Sequence, residues 1–103
     1  MTAAISRSQS AELTRLCQKY RVRRLDLFGS ARGTRFNLAS SDVDFAVEFE
    51  PMSPDDHADA YFGLLFALED LFGRSIDLVE LPAVRNPYVR AEIERTRELL
   101  YAA

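Results

Sequence analysis

The stretch from Leu25 to Glu50 constrains the fold more than any other part of the chain. It begins with an apolar run that stops at Gly29-Ser30 and ends with an alternation of polar and apolar residues from Asp42 to Phe49. Such alternation predicts a β-strand with one face in the core, because successive side chains of a strand point to opposite faces. Asp42 and Asp44 lie on the polar face. We therefore expect two strands, with the carboxylates at the start of the second.

The periodicity of the remaining chain predicts the other elements. Apolar residues at helical spacing predict helices over 8–20, 54–72 and 87–100, alternation predicts strands over 23–28 and 75–80, and a brief helix is expected at 30–35. Ser53-Pro54 and Asn86-Pro87 are typical helix starts. The predicted order is α-β-α-β-α-β-α, an α/β (α+β) fold. Its mixed sheet has three strands or slightly more, flanked by about four helices.

The lengths of the connections predict which strand ends meet. A full-length helix between the second and third strands favours a right-handed crossover that leaves those two strands parallel. Asp42 and Asp44 then lie near Asp77, at the start of the third strand. The shorter link between the first and second strands is compatible with an antiparallel pair, which brings Gly29-Ser30 to the same edge. The sequence therefore predicts that these polar residues converge.

This convergence indicates a reaction at phosphate. Neighbouring carboxylates repel one another unless cations or protons offset their charge, and Mg²⁺ commonly binds through one or two carboxylates plus substrate phosphates. Gly29 permits close approach of a phosphate, and the Ser30 hydroxyl and the following amides are donors for it. We interpret the cluster as a site for nucleotidyl transfer with two metal ions. Asp42 and Asp44 would bridge the metals, and Asp77 would orient or deprotonate the attacking hydroxyl.

Length and composition restrict the class of protein. The 103 residues are expected to form a single domain, residues 1–103, too short for a separate substrate-binding domain. A second substrate must therefore be held by a partner or by another copy. The net charge of −3 argues against a protein that coats nucleic acid, and the basic cluster at 15–24 is interpreted as a solvated surface. The absence of a long apolar segment predicts a cytoplasmic protein with no membrane partner.

Several residues have an interpretation that requires no ligand. The lone cysteine, Cys17, lies on the apolar face of the first helix and is expected to be buried. His57 is expected to be exposed, without a partner that would make a metal site. The aromatic and aliphatic residues at 61–66 are interpreted as core. The apolar segment 99–103 indicates either packing back on the core or burial against a partner.

These motifs resemble a known family. The pair Gly29-Ser30, followed by Ser41-Asp42-Val43-Asp44 and by a third Asp on a later strand, resembles the nucleotidyltransferase superfamily that shares its palm-like core with DNA polymerase beta. The runs FGSARGTRF…SDVDFAVEFE, YFGLLFALEDLFGRSIDLVE and RNPYVRAEIERTRELLYAA are similar to its minimal nucleotidyltransferase branch, the MntA-type antitoxins of HEPN/MNT toxin–antitoxin systems. The resemblance covers nearly the whole chain.

The resemblance implies Mg²⁺-dependent transfer of AMP from ATP to a hydroxyl, expected to be that of a tyrosine, on a HEPN-family RNase toxin, which the transfer neutralises. It implies a hetero-oligomer with that toxin and no direct binding of nucleic acid. The site residues that it implies are Gly29, Ser30 and Arg32 for the nucleotide, and Asp42, Asp44 and Asp77 as metal ligands and catalytic residues.

The first motif departs from the usual pattern in one respect. Its commonest form has one residue between Gly-Ser and Ala-Arg-Gly, whereas here Ser30 is followed directly by Ala31-Arg32-Gly33. Arg32 and Gly33 therefore cannot both occupy their usual places relative to Ser30. Two alternatives stay open at this stage: an antitoxin with little or no activity that neutralises its toxin by binding, and a nucleotidyltransferase for a small hydroxyl substrate.

Overall fold

The computed structural model describes residues 5–28 and 43–103 of the chain. In chain order their elements are α1 (Arg7–Lys19), β1 (Val22–Phe28), β2 (Val43–Phe49), α2 (Pro54–Phe72), β3 (Ile76–Glu80), a short 3₁₀ helix (Leu81–Ala83), α3 (Pro87–Thr96) and β4 (Glu98–Ala102). The strands form one four-stranded sheet in the order β3-β2-β1-β4. Four of the predicted site residues, Gly29, Ser30, Arg32 and Asp42, lie outside the described residues, as does the helix expected at 30–35.

The pairing of the strands confirms the predicted topology. β2 and β3 are parallel and joined by α2, whereas β1 pairs antiparallel with both β2 and β4. The mixed α/β architecture expected from the sequence is therefore present, with one strand more than the smallest expected number. Among the described residues, no helix has the length and apolarity needed to cross a bilayer.

Local chemistry determines where the helices begin and end. The Ser6 side chain accepts a hydrogen bond from the Gln9 amide and completes a capping box, so α1 begins about a residue earlier than its apolar pattern indicates. Ser53 caps α2, with Pro54 at the first helical position as predicted. Gly73 ends α2 at φ 66°, in the left-handed region that glycine enters without steric cost. The chain can therefore turn directly from α2 into β3.

The two faces of the sheet have different surroundings. The larger core lies between the sheet and the helices α1 and α2, and its fully buried members include Leu13, Leu25, Leu27, Phe45, Val47, Leu64 and Leu68. On the opposite face, Ala46 packs with Leu81 of the 3₁₀ helix and Ile93 of α3. Phe28 and Val79 also border this smaller cluster. Along β2 and β3, the polar residues that alternate with residues of the larger core point away from that core, so they lie on this second face.

The expected end of the last helix is wrong. The sequence pattern placed residues through 100 in a helix, but α3 ends at Thr96 and Glu98–Ala102 form β4. Arg97 is already extended, at φ −68° and ψ 143°. Leu100 and Tyr101 pack against the larger core, and β4 pairs with the free edge of β1. Of the two explanations for this apolar segment, packing on the core is the one observed.

The assignment of residues 61–66 to the core is correct only in part. Leu64 is fully buried, and Tyr61 and Leu65 are partly buried against the core. Phe62 and Phe66, however, are 52% and 59% exposed. They precede Leu64 and Leu68 by two residues each, a spacing that places them on the opposite side of α2, and apolar character alone does not distinguish the two sides. His57 is half-buried rather than exposed, because its Nε2 contacts Glu80 Oε1.

Cys17 is buried with no exposed surface, as predicted. Burial raises the pKa of its thiol to about 12, because the charged thiolate loses its hydration. We expect the thiol of the folded protein to resist iodoacetamide at pH 8 and to react once urea unfolds the chain.

In the pH range from 9 to about 12, the unfolded chain loses the proton of the Cys17 thiol before the folded chain does, so the free energy of unfolding should fall as pH rises. Mass spectrometry and urea melts, with Cys17→Ala as the reference, measure both effects.

Candidate active site

Asp44 and Asp77 are direct neighbours in the structure. They are partners in the parallel register of β2 and β3, strands that lie about 4.8 Å apart in a sheet. Both alternate with core residues and therefore lie on the second face. Asp44 is half-buried and Asp77 is exposed, so the pair faces solvent on one side. The sequence-based expectation that these two carboxylates approach one another agrees with this register.

The end of β1 lies beside the same carboxylates. Phe28, the last residue of β1, pairs with Asp44 across the antiparallel β1–β2 ladder. The chain therefore leaves β1 next to the start of β2, which is where the sequence placed the Gly29-Ser30 turn. The position of Phe28 supports this placement, although Gly29 and Ser30 themselves lie outside the described residues.

Core packing fixes the relative position of β2 and β3. Phe45, next to Asp44, is fully buried, and its ring lies 5.7 Å from that of Phe72, measured between centroids. The Tyr61 hydroxyl of α2 donates a hydrogen bond of 2.6 Å to the main-chain oxygen of Leu78, next to Asp77. Burial, followed by the charges of Glu80 and Asp77, raises the pKa of Tyr61, so this hydroxyl keeps its proton and remains a donor at neutral pH. Side chains of α2 thus pack against β2 and β3, the strands that carry the two carboxylates, from the core side of the sheet.

The donor set of the pair suits a magnesium ion. Two carboxylates on adjacent strands supply oxygen ligands on one face, and their mutual repulsion is relieved by a divalent cation. Asp44 is half-buried, which makes its charge more dependent on such a partner. No group of three or more metal-ligating side chains is present within residues 5–28 and 43–103. Asp42, the remaining carboxylate predicted for the site, lies outside these ranges.

One charged residue near the site was not anticipated from the sequence. Asp26 is 1% exposed, on the second face of β1. It accepts hydrogen bonds from Arg24 Nε at 2.9 Å and Arg24 Nη2 at 3.3 Å, and its Oδ2 lies 3.7 Å from Arg97 Nε. Arg97 immediately precedes β4, so this ion pair joins β4 to the strand that ends at Phe28. An aspartate between Leu25 and Leu27, within an apolar run, was the available signal for a buried carboxylate.

Known proteins similar to this chain match it over a region that includes the site. The family described as "Nucleotidyltransferase domain" matches residues 12–100. A relative from Methanocaldococcus jannaschii, named "Putative protein adenylyltransferase", is 37% identical over 87 residues, which cover 84% of this chain and 82% of the relative. The match includes the strands that carry Asp44 and Asp77.

Solved structures show the same fold. A crystal structure of a toxin–antitoxin with AMP-PNP aligns with a TM-score of 0.66 and 20% identity, over 91% of this chain and 73% of that one. A structure of a tri-AMPylated Shewanella oneidensis HEPN toxin in complex with an MNT antitoxin aligns with a TM-score of 0.63 and 18% identity, over 93% and 71% of the two chains. Together, the match across residues 12–100 and the identity to the archaeal relative show that the chain belongs to the nucleotidyltransferase domain family.

Proposed function

We propose that this nucleotidyltransferase is an antitoxin that uses Mg²⁺ and ATP to attach AMP to a tyrosine hydroxyl of a HEPN-family RNase toxin, and so neutralises it. The observation that carries the proposal is the register of β2 and β3, which sets Asp44 beside Asp77 at the place where β1 ends. A reaction at a triphosphate requires carboxylates near a phosphate-binding turn, and the meeting of Asp44, Asp77 and the end of β1 supports a site of this kind.

The acceptor hydroxyl attacks the α-phosphorus of ATP in the proposed reaction. A bond forms between the acceptor oxygen and that phosphorus, the bond to the bridging oxygen of the β-phosphate breaks, and pyrophosphate leaves. Asp77 is exposed on the edge strand of the sheet, so an incoming hydroxyl can reach its carboxylate. Its part in the reaction is to orient the hydroxyl and accept the proton that the hydroxyl loses.

Asp44, together with Asp42 and Asp77, would hold two Mg²⁺ ions. When bound, the ions would supply positive charge at the triphosphate and lower the pKa of the acceptor hydroxyl. Gly29 and Ser30 would bind phosphate through main-chain amides and the hydroxyl side chain. Arg32 would add a cation, from a position one residue nearer to Ser30 than in the usual motif.

The choice of nucleotide and partner is supported by the relatives. The structural neighbours include a toxin–antitoxin with AMP-PNP and a tri-AMPylated HEPN toxin with its MNT antitoxin. The archaeal relative is named as an adenylyltransferase that acts on protein.

Mass spectrometry of the toxin tests the proposal directly. The purified chain is incubated with ATP, Mg²⁺ and a HEPN-family toxin, and the toxin is expected to gain one or more AMP units, located to tyrosine by fragmentation. Replacing Mg²⁺ with EDTA should abolish the gain. An unchanged toxin mass, with a folded toxin and intact ATP, would contradict the enzyme and favour an antitoxin that acts by binding alone.

A further inference from the structure

The outer side of α2 carries two aromatic residues where a solvated helix normally carries polar ones. Phe62 and Phe66 are 52% and 59% exposed and lie opposite Leu64 and Leu68, which are fully buried. The Phe62 ring lies 6.3 Å from that of Phe66 and 5.2 Å from that of Tyr61, measured between centroids. The three rings therefore form one continuous apolar surface, which we call the α2 aromatic face. Contiguous exposed apolar surface is typical of interaction sites.

A concave pocket adjoins the α2 aromatic face. It has a volume of about 520 Å³ and is lined mainly by apolar groups, from Pro54, His57, Ala58, Tyr61, Phe62 and Glu80. Glu80 is the last residue of β3, and β3 is an edge strand of the sheet. The rings of α2 and the end of β3 thus border a shallow, open depression, against which an apolar side chain of a partner can pack.

The charge on α2 itself is of one sign, and the cations beside it belong to the α1 side, where Lys19 lines one groove with Asp70 and another with Asp56 and Asp59. α2 carries five carboxylates and no Lys or Arg, a charge of −5, while the whole chain carries −3. The carboxylates lie on both sides of the rings: Asp55, Asp56 and Asp59 precede them, and Glu69 and Asp70 follow. Among the described residues, none of the five takes part in a salt bridge. This pattern disfavours a second copy packed through the same face, because carboxylates would meet carboxylates, and it favours a partner with basic flanks.

One strand connects the α2 aromatic face to the carboxylate pair. β3 carries Glu80 at the pocket and Asp77 beside Asp44. At about 3.3 Å per residue along a strand, the backbone positions of Glu80 and Asp77 are roughly 10 Å apart, and their side chains lie on opposite faces of the sheet. Because β3 is an edge strand, a protein docked on α2 that extends round this edge would reach the face that carries Asp77, where the acceptor hydroxyl is needed.

We propose that the α2 aromatic face and its pocket form the docking site of the acceptor protein, and that they bind a segment with apolar side chains in its middle and Lys or Arg at its flanks. The inference rests on the proposed function, since it assumes a protein acceptor. Docking of this kind supplies the binding energy that a small domain cannot obtain by enclosing its substrate, and it fixes the acceptor relative to Asp77.

The test measures complex formation with the HEPN-family toxin that the chain modifies in the transfer assay. Phe62→Gln with Phe66→Gln should weaken binding at least about tenfold, as is usual for central aromatic residues of an interface. The matched control is Tyr88→Gln, which removes an 86% exposed aromatic side chain from α3 and should leave affinity unchanged. Asp55→Lys with Glu69→Lys should also weaken binding, and more strongly at low salt. Thermal melts of each variant confirm that the fold is retained.

The outcomes separate this inference from the proposed function. If the wild-type chain binds and modifies the toxin, and the double Phe variant does so equally well, the docking site is elsewhere while the proposed function remains. If the wild-type chain neither binds nor modifies the toxin, the proposed function fails and the docking inference fails with it. A wild-type dimer in solution that the Phe substitutions dissociate would also overturn the inference, because the face would then bind a second copy.

Discussion

Asp42→Asn with Asp44→Asn should abolish AMP transfer to the toxin, with a loss of at least about a thousandfold, equivalent to roughly 4 kcal/mol of transition-state stabilisation. An asparagine retains the shape of aspartate but lacks the charge that holds a divalent cation. Asp44→Asn alone should produce most of this loss, because Asp44 is the half-buried member of the Asp44–Asp77 pair. Single-turnover transfer of labelled AMP, at saturating ATP and Mg²⁺, is the appropriate measurement.

Glu48→Gln is the matched control for this loss. Glu48 lies on the same strand and the same face as Asp44, but it pairs with Arg24 at the far end of β1. Its conversion to the amide removes the same charge without altering the proposed site, so transfer should continue at the wild-type rate. Transfer that persists in the double Asp variant would contradict the proposed metal ligands. Neutralisation of the toxin that persists after transfer is lost would show that binding protects the cell.

Asp26→Ala should destabilise the fold by about 3 kcal/mol, since removal of the buried carboxylate leaves the largely buried Arg97 with only its 3.6 Å contact to Glu94. The figure is at the lower end of the usual range, because the side chains of Arg24 and Arg97 are 35% and 18% exposed and water can still reach them. For a domain of this size the melting temperature should fall by roughly 10 °C or more. Urea and thermal unfolding, followed by circular dichroism, measure both quantities.

A surface ion pair provides the control for Asp26. Glu12 and Arg15 form an i, i+3 pair on α1, with side chains 39% and 59% exposed. Screening by water makes such pairs contribute little, so Glu12→Ala should leave the unfolding midpoint nearly unchanged. A double-mutant cycle of Asp26→Ala and Arg97→Met separates the interaction energy of the two side chains from the stability that each single substitution removes. An Asp26 variant as stable as the wild type would contradict the structural role of the buried ion pair.

The sequence was sufficient to predict the elements on which the site depends. Alternation along β2 and the caps of α2 depend on local chemistry, which the sequence displays directly. The parallel pairing that brings Asp44 to Asp77 follows from the length of α2 and the preferred handedness of crossovers. The meeting of Asp44 and Asp77 was therefore accessible to reasoning from the chain alone. The proposed roles of Gly29, Ser30, Arg32 and Asp42 stay predictions.

The features that sequence reasoning missed depend on long-range packing. β4 consists of residues with helical spacing, and only the free edge of β1, more than 70 residues earlier in the chain, makes them a strand. Phe62 and Phe66 have the composition of core residues, and their exposure is decided by which side of α2 faces the sheet. Asp26 is buried because Arg97 approaches from the far end of the chain. In each case, contacts with residues distant in sequence determine the conformation or the burial, and the local pattern does not.

The position of β3 at the edge of the sheet has a consequence for how the enzyme loses activity. Within residues 5–28 and 43–103, β3 pairs only with β2, whereas β2 and β1 each have two neighbours. An edge strand of five residues can detach by local unfolding while the other strands remain paired, at a lower free energy than global unfolding. Detachment would carry Asp77 away from Asp44 without melting the domain. Inactivation by heat or mild denaturant should therefore precede the loss of secondary structure, and hydrogen exchange should be faster in β3 than in β1.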